Sequence, residues 1–502
     1  MVDLVKNSVL KILSEQNVAV FIVAYNAEKH IESVIARIPP WVREKLAEIY
    51  VIDDSSSDCT YNIARAIPQQ NSHPLHIYRT PYNHGYGGNQ ILGYQHALEQ
   101  GHDIVVLLHG DGQYAPEELP QILAPYAEPS VGAVFGSRFL SKGGALAGGM
   151  PKYKYLGNRI LTYIQNKLLG AKLSEMHSGY RSYRMSCMKN LPFAFNSKGF
   201  DFDADIIIQF VEAGYSIVEV PIPTYYGDEI CHVNGLQYAW RCVRACAINL
   251  LMKVELFYDP KFDLSHLEQK NRYSKKTSPR CLHAFVRAYP FIPGETLLDL
   301  GGGDGESVAR DLARRGLRVT CVDQCHGFSD HKLGLTHIRC DLDEGWAQSL
   351  DKARFDACIA LDVIEHLKSP EKGLSQLFEV TAEHGTVILS TGNVAFWPIR
   401  LMLLLGSFNY GRKGILDLTH KRLFTLKSFQ RLIRYQGFEI MECRGYGVPI
   451  SDLAPSLPLS VPLEILGHGL AQLWPGMFAY QILLVCRRPL SHKELMRGTF
   501  KA

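Results

Sequence analysis

The strongest constraint on this chain is a local grammar that occurs in two separate stretches: an apolar run, a turn rich in Gly, Ser or Asp, then a helical pattern. Such alternation predicts parallel βα units wound into an open sheet. In the first stretch VAVFIVAYN (18–26) is followed by IYVIDDSSSDCT (49–60) and DIVVLLHGDGQ (103–113). In the second, TLLDLGGGDG (296–305) is followed by LRVTCVDQ (317–324) and FDACIALDVIEHL (355–367). The glycine and acid patterns of the two stretches differ, so they read as two Rossmann-like α/β domains with different ligands. Between them FYDPKFDLSHLEQKNRYSKKTSP (257–279) is polar, charged and poorly periodic, the signature of a linker. The expected organisation is a domain over 1–256, a linker over 257–279, a second domain over 280–490 and a tail over 491–502.

Composition removes several alternatives. With 46 % apolar and 21 % charged residues the chain is not a disordered or collagenous one. Its formal charge of +3 argues against a dedicated nucleic-acid binder. The 12 cysteines form no C-x-x-C pair, which fits reduced thiols rather than structural zinc. The start, MVDLVKNSVLKILSEQ, reads as a short amphipathic helix and not as a signal peptide. The run VAFWPIRLMLLLG (394–406) is too short to span a bilayer and carries Pro398 and Arg400. A cytoplasmic location is expected, either free in solution or peripheral at the inner face of the cell membrane.

In the first stretch, VIDDSSSD ends a buried strand in paired acids at Asp53 and Asp54. The carboxyl ends of strands are where α/β sheets bind ligands. Beyond VVLL lie His109 and Asp111, two residues apart. An acid there, turned toward a diphosphate, suits Mg²⁺ or Mn²⁺, which favour oxygen ligands; an imidazole is acceptable to Mn²⁺ and less natural for Mg²⁺. Taken singly, each string also reads as a helix cap or a turn.

Taken together, VAYN, VIDDSSSDCT, NHGYGGNQILGYQHA, LHGDGQY, VFGSRFL, HSGYRSYR and FDFDADIIIQFVEAGYSIVEVPIP resemble family 2 glycosyltransferases of the GT-A fold, in their dolichol-phosphate mannosyltransferase-like branch. The resemblance runs from about Val18 to Val254. It implies that Tyr25 and Asp54 contact the nucleotide base and ribose, and that Asp111, with Gln113 beside it, holds the metal and the donor diphosphate. Arg138 would face phosphate, and Arg181 would neutralise an acceptor phosphate or support the site. Asp203 and Asp205 would accept the acceptor's proton or align it; they share a face only if their segment is extended, and on a helix only one reaches the site.

Three positions depart from the family pattern. His109 stands where the first acid of D-x-D is usual, Ala27 follows Tyr25-Asn26 where an acid is usual, and Tyr225 and Tyr226 follow VPIP where an Arg is usual. The segment GLQYAWRCVRACAINLLMKVELF (235–257) has helical apolar spacing with Arg241, Arg244 and Lys253. It reads as a helix packed on its own domain or lying in a membrane interface.

In the second stretch, LLDLGGGDGESVARDL fails the dinucleotide fingerprint G-x-G-x-x-G, since the third glycine position falls on Glu306 or Val308. It resembles the D-x-G-x-G-x-G loop of class I S-adenosylmethionine-dependent methyltransferases, with Asp299, Gly301, Gly303 and Gly305. Asp323 ends the next strand, where an acid takes ribose hydroxyls, and Asp341 is placed for the adenine amino group. TVILSTGN reads as a fifth strand. Glu365 and His366 are the acid/base candidates, His366 the one named as catalytic. The likeness of 410–438 to methyltransferases of surface-glycan pathways puts Asp417, His420 and Arg422 near the acceptor. The run Phe396 to Leu405 reads as core, or otherwise as a lid or lipid contact.

The resemblances imply a bifunctional enzyme. One half would transfer a hexose from a nucleotide sugar to a polyprenyl-phosphate or glycan acceptor with a divalent cation. The other would methylate a related acceptor from S-adenosyl-L-methionine. The alternative is a transferase-inactive binding or scaffold domain fused to a methyltransferase of unrelated substrate, favoured by His109 and Ala27.

Overall fold

The structure is a computed structural model that describes residues 2–490 apart from 69–74, 142–143, 224–233, 265, 268–279, 304–307, 326, 328, 351–353, 456 and 458. The expected tail 491–502, and the sequence-stretch residues Tyr225, Tyr226 and Gly305, lie outside the described residues. The chain divides into two compact units, Met1–Leu250 with Asp259–Gln269, and Leu251–Tyr258 with Lys270–Ala502. Within the stretch 257–279, residues 257–258 and 270–279 group with the second unit and 259–269 with the first.

The first unit holds a seven-stranded sheet: β1 (Val18–Ala24), β2 (Glu48–Asp53), β3 (Leu75–Arg79), β4 (Ile104–His109), β5 (Val131–Ser137), β6 (Arg181–Arg184) and β7 (Ser216–Pro221). Their order is β3-β2-β1-β4-β6-β5-β7. β6 runs antiparallel to β4 and β5, and every other pair is parallel. β1 and β2 are buried throughout, which is why they read as unbroken apolar runs. Val18, Val20, Ile22 and Ala24 face the large core beneath the N-terminal helix, while Phe21 stacks on Tyr50 on the other side at 5.0 Å. Pairing of Ala24 with Asp53, and of Val23 with His109, brings the acidic strand ends to one edge.

At the opposite end of β2, Glu48 is held by three imidazoles: His76 Nδ1 at 2.5 Å, His96 Nε2 at 3.0 Å and His102 Nε2 at 2.7 Å. The carboxylate fills the centre of this cluster. No group of three metal-ligating side chains among the described residues is arranged to hold an ion.

The second unit holds β8 (Thr296–Leu300), β9 (Arg318–Asp323), β10 (Leu335–Arg339), β11 (Phe355–Ala360), β12 (Thr381–Gly392), β13 (Glu439–Tyr446) and β14 (Gln481–Arg487). Their order is β10-β9-β8-β11-β12-β14-β13, parallel except for β14, which is antiparallel to both neighbours. Leu298 and Leu300 pack in one core and Leu297 in the other, as the two-residue period of a strand requires when both faces are covered. The two α/β sheets expected from the strand-and-turn grammar are both present, and the expected fifth strand is β12.

Two local expectations are corrected. The run Phe396 to Leu405 is core only in part: Phe396 and Ile399 are buried, while Leu404 and Leu405 are exposed by 82 % and 75 %. The segment carrying Asp203 and Asp205 is a helix, Phe202–Glu212, so the two carboxylates point apart. No described helix is long and apolar enough to cross a membrane.

Candidate active sites

At the carboxyl edge of the first sheet, the loops after β1 and β2 are zipped together. Asn26 Oδ1 accepts from the Ser57 amide at 3.0 Å, the Ala27 amide donates to Thr60 Oγ1 at 2.7 Å, and the Cys59 amide donates to Glu28 at 3.0 Å. Asn26 and Ser55 sit at φ +50° and +60°, left-handed conformations that this network holds in place. Tyr25 is half exposed at the mouth. Beyond β4, Asp111 is exposed and accepts the Gln113 amide at 3.0 Å. Deeper in, the Tyr86 hydroxyl donates to Asp203 at 3.1 Å and meets His109 Nε2 at 3.2 Å; Gln90 donates to Asp203 at 3.3 Å. Arg181, buried, lies 3.6 Å from the Asp203 carboxylate and stacks over Phe135.

At the carboxyl edge of the second sheet, the glycine loop turns at Gly301, φ +72°, where a Cβ would strike Val363 at 2.3 Å. Asp299 curls beneath Gly302, whose Cβ would meet the carboxylate at 2.6 Å. Asp323 ends β9 and accepts the Gly303 amide at 2.9 Å and the Cys325 amide at 2.8 Å. Asp341 is exposed just past β10. Across the edge, Asp362 exchanges hydrogen bonds with Ser390 at 2.9 Å, and Glu365 is buried with Gly392 N at 3.3 Å. His366 and His420 meet edge to face at 4.6 Å.

Residues 19–191 match the family described as Glycosyl transferase family 2. Over 208 residues the chain is 33 % identical to an undecaprenyl-phosphate mannosyltransferase of Micrococcus luteus, covering 41 % of this chain and 82 % of that protein. The chain belongs to glycosyl transferase family 2. A polyprenol monophosphomannose synthase of Mycolicibacterium smegmatis is 28 % identical over 208 residues, 41 % of this chain and 77 % of that protein. Among solved structures, the glucosyl-3-phosphoglycerate synthase of Mycobacterium tuberculosis with uridine diphosphate is 20 % identical, covers 48 % of this chain and 83 % of that one, and has a TM-score of 0.38. Residues 272–442 match a methyltransferase domain. The chain is therefore a family 2 glycosyltransferase fused to a methyltransferase, as the motifs implied.

Within the family 2 unit several expected site residues are engaged otherwise. Arg138 does not face open space: its guanidinium and backbone amide bind Glu175, the Nε bond at 2.8 Å, and both side chains are buried. Arg181 donates to the carbonyls of Ser178, Met176 and Asp203, so it supports the floor rather than the acceptor. Asp54 accepts from Thr80 at 3.1 Å and from the His84 amide at 2.8 Å, fixing the 80–84 turn. Asp205, fully buried, pairs with Lys261 at 2.9 Å and accepts the Ser197 amide, on the far side of its helix from Asp203. Burial raises the Asp205 carboxyl above the usual carboxylate range despite Lys261.

His109 Nε2 is engaged by the Tyr86 hydroxyl, which also donates to Asp203. Its ring presses on Gly179, where a Cβ would lie 2.6 Å away, and packs edge-on against Tyr114. Burial lowers its pKa, so the imidazole is neutral at neutral pH. Asp111 is left as the carboxylate open to a cation.

In the methyltransferase unit, burial and then the charge of Asp362 push Glu365 up to about 8. Burial and then His420 lower His366, whose Nδ1 lies 3.1 Å from Thr419 Oγ1. Asp417 accepts from Thr419, and Arg422 binds Glu371 at 2.5 Å on the surface. Sequence reasoning missed Tyr86, Gln90, Glu175, Lys261 and Asp362. Tyr86 and Gln90 stood inside the matched string NHGYGGNQ, whose density of small residues was the available signal.

Proposed function

We propose that the first unit transfers a hexose from a nucleotide sugar to a polyprenyl-phosphate acceptor, or to a glycan built on one, at the inner face of the cell membrane. The observation that carries this reading is the presence, at one sheet edge, of the outward Asp111 carboxylate and the part-buried Tyr86–Asp203 contact. The first suits a donor diphosphate and the second an acceptor. The two relatives are named for polyprenyl- and undecaprenyl-phosphate mannose transfer, which supports the lipid-linked acceptor. So does the helix Lys152–Leu169. It exposes Tyr153, Leu156, Ile160 and Tyr163, carries Lys152, Lys154, Arg159 and Lys167, and has no acid, a composition suited to an anionic lipid surface.

Mg²⁺ or Mn²⁺ bound at Asp111 would supply positive charge to the departing diphosphate, one carboxylate and phosphate oxygens sufficing for a hard cation. Asp111 holds it, and Gln113, whose amide orients that carboxylate, lies beside it. Tyr25 covers the base. With a nucleotide α-sugar, direct displacement gives inversion. For a hydroxyl acceptor Asp203 takes the proton. A phosphate acceptor is already anionic, and there Asp203 fixes Tyr86 and through it His109. The buried Arg181 offsets the charge of Asp203.

For the second unit we propose S-adenosyl-L-methionine-dependent methylation of a related acceptor in surface glycan or glycolipid biosynthesis. The group fits here: among the described residues nothing lies within 4 Å of where a Cβ at Gly303, φ +65°, would stand, and Asp323 reaches the loop backbone beside it. Asp323 would hold the ribose, Asp299 the methionine amino group and Asp341 the adenine, with the backbone at Gly301 and Gly303 leaving room for the carboxylate. The bound donor supplies an electrophilic methyl group, and the protein's task is alignment. Calorimetry with a panel of nucleotide sugars, with and without Mn²⁺, tests the donor half. Binding that needs the cation and is lost in Asp111→Asn supports it; no binding by any of them contradicts it.

A further inference from the structure

The segment from Gly411 to Arg422 forms a strap across the carboxyl edge of the second sheet. It closes on itself: the Gly411 amide donates to the Leu416 carbonyl at 2.8 Å and the Leu418 amide to the Gly411 carbonyl at 2.9 Å. At the end of β12, a Cβ on Gly392 would meet Ile415 Cα at 3.5 Å. Just past β11, the Glu365 carbonyl accepts the Lys421 and Arg422 amides at 2.9 and 3.1 Å. The Lys421 ammonium lies 2.9 Å from Asp343, two residues beyond Asp341 and close after β10. The strap therefore runs from β12 over β11 to β10, along the rim where an α/β sheet binds its ligands. The turn it crosses also touches the glycine loop, since a Cβ on Gly301 would strike Val363.

The strap sets one imidazole against another, His420 and His366 meeting edge to face at 4.6 Å. His420 Nδ1 lies 2.9 Å from the Ile415 carbonyl. A carbonyl oxygen only accepts, so Nδ1 carries the hydrogen and the neutral ring keeps its lone pair on Nε2. Among the described residues that nitrogen has no hydrogen-bond partner. The acids nearby are engaged. Asp417 accepts from the Thr419 amide and hydroxyl, each at 2.7 Å, Asp343 accepts from Lys421 and from the Lys368 amide, and Glu365 is buried. His366 Nδ1 lies 3.1 Å from Thr419 Oγ1, and burial and then His420 hold this imidazole below the usual histidine range, which makes it a poor proton acceptor.

We propose that His420, through Nε2, is the catalytic base of the second unit, and that the methyl acceptor is a neutral hydroxyl such as that of a sugar. A carboxylate or phosphate oxygen has already lost its proton and needs no base, and an amine attacks through its own lone pair. A hydroxyl keeps its proton into the reaction and needs a lone pair within reach. The acceptor oxygen forms its bond to the methyl carbon as the carbon–sulfur bond breaks. The electron pair of that bond stays on sulfur, and the hydroxyl proton passes to His420. The inference rests on the methyl-donor reading of this unit and adds the class of acceptor.

The test uses the full chain, methyl-labelled S-adenosylmethionine and the octyl glycosides of glucose, mannose, galactose, glucosamine and glucuronic acid. Label should enter a neutral glycoside and survive mild alkali, as an ether does and a methyl ester does not. His420→Gln should lower kcat by about 10²-fold or more with KM little changed, and His366→Gln should cost less. S-adenosylhomocysteine binding by His420→Gln should match that of the unmutated chain, which reports an intact unit. Apart from turnover, the nitrogen-15 imidazole spectrum of the unliganded chain, assigned by the signals lost in His420→Gln, should show His420 protonated on Nδ1. The proposal is overturned by S-adenosylhomocysteine binding without methylation of any neutral glycoside, by label that alkali releases or that enters glucosamine alone, by full turnover of His420→Gln, or by a neutral His420 protonated on Nε2. Absent S-adenosylhomocysteine binding by the unmutated chain overturns the methyl-donor reading itself, and the proposal with it.

Discussion

The Tyr86 hydroxyl lies 3.1 Å from Asp203 Oδ2 and 3.2 Å from His109 Nε2, so one phenol joins the end of β4 to the first turn of the helix Phe202–Glu212. The two acids of that helix consequently have different work. Asp203→Asn should lower hexose transfer to a hydroxyl acceptor by about 10²-fold or more, the usual size of a positioned acid–base group. Asp205→Asn should leave transfer near normal and cost about 3 kcal/mol of stability, because the Lys261 ammonium loses its buried partner. Denaturant titration and steady-state transfer on both variants separate the roles; equal losses of turnover would refute the division.

Gly179 is fixed by the His109 ring, not by its own backbone angle. A Cβ there would stand 2.6 Å from Cε1 and Nε2. Gly179→Ala should therefore cost about 1–3 kcal/mol by overpacking. Adding His109→Ala should recover most of that loss, since it removes the obstacle. A double-mutant cycle by thermal unfolding reads the coupling, and simple additivity would show that the ring is not the neighbour that matters.

Acid unfolding should carry a signature of Glu48. Burial alone would raise its carboxyl, but hydrogen bonds from His102, His76 and His96 together hold it at about 2. A folded-state value below that of the unfolded chain stabilises the fold above about pH 4. The contribution is lost as pH falls through about 2. In Glu48→Gln the stability should change less steeply between these pH values than in the unmutated protein. Parallel acid-denaturation curves would remove Glu48 from the account.

Asp323→Ala should weaken S-adenosylhomocysteine binding by roughly tenfold to several hundredfold, because charge-assisted bonds to two ribose hydroxyls are worth about 1.5–3 kcal/mol each against an unmade alternative. It also frees the Gly303 and Cys325 amides, so Asp323→Asn serves as the milder variant. Calorimetric titration of both checks this. Unaltered affinity would leave Asp323 as a loop brace only, and absent binding by the unmutated protein would contradict a methyl-donor site here.

What the sequence made legible was local. Strand ends such as Asp53–Asp54, His109–Asp111 and Asp323 announce themselves, because an apolar run followed by acids and glycines is written in consecutive residues. The partners that decide what those side chains can do come from far along the chain. Arg138 is taken by Glu175, 37 positions on, and Asp205 by Lys261, 56 positions on, from a stretch that reads as linker. An unpaired arginine and a paired one look alike in a string. The run Phe396 to Leu405 misleads for a related reason: apolar composition promises burial, and only the fold shows that Phe396 and Ile399 go inside while Leu401, Leu403, Leu404 and Leu405 lie outside.

Transfer of labelled hexose to a polyprenyl phosphate tests the central claim most directly, with a panel of nucleotide sugars and the full chain in Mn²⁺ or Mg²⁺. One sugar should be transferred, dependent on the cation, and Asp111→Asn should abolish transfer while S-adenosylhomocysteine binding by the same variant is unchanged. No cation-dependent transfer from any nucleotide sugar, or full turnover by Asp111→Asn, would contradict it.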